Sequence, residues 1–254
     1  MLFTVNDCTV NVMHNQGVDE RVLRTVWGAA PSTARGPRAR YDLASIATTA
    51  VALADDRGLS GVALSALARE LGLATTALYR YVDSKETLVH LMVDAAIGPP
   101  PEAAPGDWRD GIQAWVGGLW GRYRAHPWLA EVQVAGMPLY PQRLGWMEAL
   151  LCELDRGQVR DPMRIALLLD GVTRSFALLA RPADDAAPPS WVVEAAAARY
   201  PRLAHELARD WTDIEGELAT AVRTVLAGAQ RVTAGSCADE LADTPGGVRR
   251  RSSR

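Results

Sequence analysis

The sequence predicts an all-α protein, with a small N-terminal three-helix domain followed by a larger helical body. Apolar residues recur at helical spacing through most of the chain, and no alternating strand pattern of useful length appears. Clusters of Pro, Gly and small polar residues punctuate the chain at 28–40, 98–107, 181–190 and 233–254. With 254 residues, 48% of them hydrophobic, the chain fills a sizeable core, which excludes disorder as its main state.

Residues 1–40 read as a leader or arm, partly disordered: Met1 to Gln16 shows no period, whereas Val18, Val22, Val26 and Trp27 suit a short helix. The next unit spans 41–98. Its first helix carries Leu43, Ile46, Ala47, Ala50, Val51 and Ala54 on one stripe, with Asp42 placed to cap it. Residues 64–82 then read LSALARELGLATTALYRYV. Leu67 and Leu71 share a helix face, and Gly72 sits where a left-handed C-terminal cap is needed. A second short helix of about two turns begins near Thr75, with Leu78 and Val82 facing inward. These offsets suit a helix-turn-helix, and an ordinary corner between two helices satisfies them as well. Both short helices start after alanine, Ala63 and Ala74, where Ser, Thr or Asp would cap. A helix over 84–97 leads to a Pro-rich hinge at 99–105.

The body spans 107–232. Asp107 caps a helix bearing Trp108, Ile112, Trp115, Val116, Leu119 and Tyr123, and Asp161-Pro162 is a cap followed by proline at the first helical position. Residues 163–180 are apolar on two faces, with Leu168, Val172 and Phe176 on one and Leu167 and Leu178 on the other, so both sides are expected to be covered. Residues 212–229 place Ile214, Leu218, Val222 and Val225 on a stripe. Residues 233–254, with Arg249, Arg250, Arg251 and Arg254, read as a disordered tail.

Charge narrows the classes of function. The formal net charge is −3, and the stretch from Arg35 to His90 holds seven basic and six acidic residues, so any polyanionic partner is met by local placement of charge. Lys85 is the only lysine in a chain that otherwise uses arginine. Cys8, Cys152 and Cys237 are three and far apart, which excludes a disulfide framework and a structural zinc site and fits a reducing cytoplasm. No membrane span, export signal, nucleophile elbow, phosphate loop, cofactor motif or metal-ligand spacing is seen, so neither a membrane partner nor an enzyme is expected.

The helix at 43–57, ARELGL, LYRYV at 78–82 and SKETL at 84–88 together resemble the DNA-binding head of the tetracycline-repressor (TetR) family. Trp108-Arg109, the run His126-Pro127-Trp128-Leu129 and Glu148 resemble the ligand-binding body of its tetracycline-repressor subgroup, and the pieces VWG and RGPR resemble the leader of some relatives. The resemblance implies a homodimer binding a double-stranded, palindromic operator. Thr75, Thr76, Tyr81 and Ser65 match base-reading positions, and Tyr79 and Lys85 match phosphate-contacting ones, with Arg80 beside them. Some relatives carry arginine at the position of Ser65. Its absence here removes a guanine contact worth about 1–3 kcal/mol of discrimination. Arg35, Arg38 and Arg40 read either as a minor-groove arm or as a solvated linker.

In the body, Trp115 and Leu119 match ligand contacts of the tetracycline repressor, and Met137 and Trp146 add large adaptable side chains. Gln133 falls where that repressor has a metal-ligating histidine and Gly136 where it has another contact, which disfavours a metal chelate and implies a small organic, metal-free ligand. Arg143, Asp170 and Arg174 are the polar candidates for orienting it, although Asp170 and Arg174, four apart on one helix, read first as an internal ion pair. His126 reads as a helix-entry residue. Dimerisation is assigned to Leu168, Val172, Phe176, Leu218, Val222 and Val225, in a four-helix bundle with their symmetry mates; the alternative is that both helices are simply buried within one subunit. The expected function is a transcriptional repressor released from DNA by the ligand. The competing expectation is a helical small-molecule-binding protein without specific DNA recognition.

Overall fold

The computed structural model describes residues 2–5, 8–11, 20–29, 41–103, 105–132, 139–181, 189–209 and 211–242, with the backbone alone for 2–11 and 230–242. Two four-residue strands, β1 (Leu2–Val5) and β2 (Cys8–Asn11), pair antiparallel with Leu2 opposite Asn11. The sequence shows no period there because four residues are too few to establish an alternation. Among the described residues, every later element of regular structure is a helix. Helix α1 (Glu20–Val26) buries Val22 and falls where the valine spacing predicts it.

The head is built from α2 (Leu43–Arg57), α3 (Leu64–Glu70), α4 (Thr75–Leu78) and α5 (Lys85–Ile97). Asp42 caps α2 as expected and completes a capping box with Ser45, each side chain accepting from the other residue's backbone N–H. Ile46, Ala47, Ala50, Leu53 and Ala54 turn that helix's apolar stripe toward α5. Ser84 caps α5 by accepting from Thr87 N–H, which leaves Lys85 in its first turn.

The body packs α6 (Trp108–Ala125), α7 (Pro141–Arg156) and α8 (Pro162–Leu179) on one another. A 3-10 turn, Pro127–Glu131, follows α6. Gly111 on α6 lies against the buried Glu153 of α7, where a Cβ would collide with the carboxylate. The caps come out unevenly. Asp107 accepts from Arg109 N–H as predicted, whereas Asp161 precedes Pro162 in a left-handed conformation (φ 51°) and makes no side-chain cap bond. Its carbonyl takes the Arg164 and Ile165 N–H groups instead.

Three departures from the sequence reading lie at the C-terminal end. Helices α9 (Ser190–Arg199) and α10 (Pro201–Leu207) lie in a stretch of the body to which the sequence assigns no particular helix, and neither buries a residue. Helix α11 runs from Ile214 to Ala242, well into the segment read as a tail. Helix α8 is covered on one side only: Ala166, Leu169, Thr173 and Ala177 face inward, while Leu167, Leu168, Leu178 and Leu179 are exposed.

Candidate nucleic-acid interface

The turn between α3 and α4 forms through backbone hydrogen bonding that glycine permits. Gly72 adopts φ +64°, its N–H donates to Arg69 O, and Leu73 N–H reaches back to Ala68 O at 2.8 Å. This double closure is the Schellman motif, and it reverses the chain within two residues. Tyr41 fixes the same corner from outside, its hydroxyl donating to Leu71 O at 2.6 Å. The inner faces meet through Leu67, Ala68, Leu71, Leu78 and Val82, all buried. The corner is therefore a helix-turn-helix seated on α2.

Helix α4 is shorter than expected. After Leu78 the chain tightens, with Arg80 N–H on Ala77 O and Tyr81 N–H on Leu78 O, so only the first turn is α-helical. Ala63 and Ala74 make no side-chain cap bonds, as their sequence implies. On this scaffold Ser65, Thr76, Tyr79, Arg80 and Lys85 are exposed and Thr75 is half-exposed. Tyr81 is half-buried and packs on the core. Arg38 and Arg40 lie outside the described residues, as do Arg35 and the terminal arginines.

The candidate ligand residues converge between α6, α7 and α8, but they are already engaged. Trp115 and Trp146 meet edge to face at 5.6 Å. The Trp115 indole donates to Trp146 O at 2.7 Å, and the Trp146 indole to Gly98 O at 2.8 Å. Leu119 is fully buried beside them. Met137, Gln133 and Gly136 lie outside the described residues. The expected internal pair on α8 is replaced by tertiary partners. Arg143 of α7 donates to both carboxylate oxygens of Asp170, at 2.7 and 2.9 Å, whereas Arg174 donates to the Ala130 and Val132 carbonyls at the end of the 3-10 turn. A guanidinium fork meets both carbonyls at once. Tyr123 lies beside this cluster, its hydroxyl pushed up to about 12 by burial first and by the Asp170 charge second.

Leu218 and Val222 are buried within their own subunit, since α11 lays its Ile214, Leu218, Val222 and Leu226 stripe on α8. They leave the set of residues available to a second chain. Val172, Phe176 and Val225 are half-buried, and Leu168 is exposed.

Sequence reasoning missed the acids that join the head to the body. Asp94 of α5 accepts the Gln142 and Arg143 N–H groups at the start of α7. Asp55 of α2 accepts the Trp128 indole N–H at 2.7 Å and lies 2.9 Å from His126 Nδ1. Trp27, just after α1, donates to Leu139 O at 2.8 Å. The signal for Asp94 was present: it stands three residues after Leu91 on the buried stripe of α5.

The profile of the bacterial regulatory proteins, tetR family, matches residues 46–92, from α2 into α5. The HTH-type transcriptional repressor DrrR1 of Streptomyces coeruleorubidus is 33% identical over 156 residues, which is 59% of this chain and 58% of that protein. An HTH-type transcriptional regulator of Saccharopolyspora erythraea is 34% identical over 90 residues, 34% of this chain and 38% of that one. The chain thus spans little more than half the length of the first relative. Among solved structures, the Streptomyces coelicolor TetR family protein ActR in complex with (S)-DNPA superposes with a TM-score of 0.63 at 25% identity, covering 75% of this chain and all of ActR. A possible TetR family transcriptional regulator of Streptomyces coelicolor shares the fold, with a TM-score of 0.65 at 24% identity over 75% of this chain and all of that one.

Proposed function

We propose that the chain is a member of the tetR family of bacterial regulatory proteins, whose profile matches its head, and that it is a transcriptional repressor released from DNA by a small organic ligand. The observation that carries the reading is the Schellman-turned corner, which holds a short helix outward with Thr75, Thr76, Tyr79 and Arg80 at its solvent side and Lys85 one turn beyond. Base edges are read by Thr75, Thr76 and Ser65, with Tyr81 at the margin, and phosphates are held by Tyr79, Arg80 and Lys85. So short a helix reads few bases, and two copies related by a two-fold axis place their helices one DNA turn apart, about 34–36 Å. The second copy covers the open face of α8 around Leu168, together with Val172, Phe176 and Val225 at its margin.

The ligand site is assigned to the junction of α6, α7 and α8, where Trp115, Leu119 and Trp146 are buried and Arg143, Asp170 and Arg174 are paired, so entry requires these contacts to open. ActR, solved with (S)-DNPA, supports a small organic molecule in a body of this fold. No helix among the described residues is long and apolar enough to cross a membrane, in keeping with action on DNA in the cytoplasm.

Selection of genomic fragments by the purified chain tests the proposal. An enriched inverted repeat with half-sites about one turn apart is expected, and absence of any enriched sequence overturns it. Lys85→Ala then weakens binding to every sequence, whereas Thr75→Ala shifts preference at one or two base pairs. Because few phosphates are neutralised by a head of near-zero charge, affinity falls with salt at a slope of about −0.9 per phosphate contacted.

A further inference from the structure

The 3-10 turn Pro127–Glu131 is gripped from two sides. From α8, Arg174 holds the Ala130 and Val132 carbonyls, and Arg181, just after α8, pairs with Glu131 at 2.7 Å. From the head, the single carboxylate of Asp55, in the last turn of α2, takes Trp128 and His126 together. Trp128 is 1% exposed, and Asp55 supplies the acceptor for its indole N–H. The Trp128 indole N–H keeps this acceptor only while α2 and the turn hold their present spacing. Both bonds are near 3 Å, so a displacement of the turn by about 1 Å breaks them.

We propose that Asp55 is a latch: its clasp on His126 and Trp128 fixes the orientation of the head on the body, and its release passes a change in α8 to the head. Helix α8 is suited to originate such a change. Asp170, which meets Arg143 from α7, stands one turn before Arg174, which holds the turn. Movement of α8 at Asp170 therefore pulls on the carbonyls of Ala130 and Val132 and through them on Trp128. Coupling of two sites needs an element with two arrangements that both sites bias, and the turn with its latch is that element. The consequence for DNA rests on the function proposed above; the mechanical claim does not.

The test reads head orientation inside one chain. Spin labels are placed on Cys152, exposed on α7, and on Glu70→Cys at the end of α3, in full-length protein with Cys8→Ser and Cys237→Ser, diluted into unlabelled chain. The native latch gives one narrow distance distribution. Asp55→Ala broadens it at least about twofold or splits it, and Asp55→Asn, which keeps one acceptor for the indole, lies between. Trp128→Phe retains the buried ring, loses the donor and reproduces the broadening with the head untouched, so it decides the matter if Asp55→Ala fails to fold. Native distributions in both Asp55→Ala and Trp128→Phe overturn the latch. On a selected operator, Asp55→Ala loses affinity about tenfold as the heads lose their fixed spacing. Native affinity beside a broadened distribution removes the link to DNA and leaves the latch standing; an absent operator refutes the function alone.

Discussion

Replacing Asp94 isolates an interaction that joins two helices far apart in sequence. Helix α7 begins without a cap of its own: Tyr140 makes no side-chain cap bond, and Pro141 has no N–H to satisfy. The next two amides, Gln142 and Arg143, both donate to Asp94 Oδ1, at 2.9 and 3.1 Å. Asp94 is thus an N-cap supplied by another helix, and it is 8% exposed. Asp94→Ala removes the cap, worth about 0.5–2 kcal/mol, and leaves buried donors unpaired at about 1–3 kcal/mol. Because these costs overlap, the expected loss is about 2–3 kcal/mol, which for a chain of this size lowers Tm by roughly 4–12 °C. Asp94→Asn keeps an acceptor oxygen in the same place and stays within about 1 kcal/mol of the native protein at neutral pH.

The two variants also separate charge from geometry. Burial raises the Asp94 pKa, and the two backbone N–H bonds oppose it without cancelling it. A carboxyl that binds its proton more tightly when folded stabilises the native state as pH falls through the raised value toward the unfolded one, about 3.9, and this contribution is lost as pH rises. Urea unfolding followed by helical circular dichroism, at neutral pH and just above pH 4, therefore shows the native protein gaining on Asp94→Asn as the solution is acidified. An Asp94→Ala midpoint equal to the native one refutes the cap, and a pH-independent difference from Asp94→Asn refutes the burial argument.

Two further predictions concern the body. Leu168→Glu on the open face of α8 converts a two-chain mass to a one-chain mass in light scattering with helicity intact, whereas Leu218→Ala, inside its own subunit, costs about 2–5 kcal/mol of stability and leaves the mass unchanged. Arg143→Met strands Asp170, whose carboxylate is 16% exposed, and destabilises the fold by about 3–5 kcal/mol, while Arg143→Met with Asp170→Leu recovers most of that loss in denaturation. Equal losses in the single and double variants contradict this reading of the pair.

What the sequence made legible is what a single helix decides for itself. Asp42 and Asp107 were readable as caps because each acts on amides within three residues, and Gly72 because its positive φ belongs to one backbone position. The stripe of α2 was readable because one helix phase accounts for it. Helices α9 and α10 were not, since none of their residues is buried and no apolar stripe fixes a phase against a core. The Leu218 and Val222 stripe is legible as covered but not its partner, because periodicity records that a face is covered and not which chain covers it; here their own subunit buries them. Arg174 shows the same limit for charge. Proximity on a helix favours Asp170 by a few tenths of a kcal/mol, on the order of 0.5 at most, and two carbonyls ending a turn 42 and 44 residues away outweigh it.

The head-body acids carry this argument furthest. A carboxylate on the core side of a helix loses hydration, so it persists only where another element brings donors to it. Asp94 on the buried side of α5 therefore announces a partner, though not which one, and the partner proves to be a helix start that lacks a cap and begins with proline. Asp55 gives no such warning, because a third of its side chain reaches solvent and it stands beside Asp56 at a helix end, where acids are ordinary. The warning was on the other side of the contact. Trp128 is a large ring with one obligatory donor in an apolar run, and such a ring, once buried, requires an acceptor from elsewhere. At the junction between the head and the body both demands meet, since the Trp128 indole takes its acceptor from α2 and Asp94 takes its donors from the start of α7.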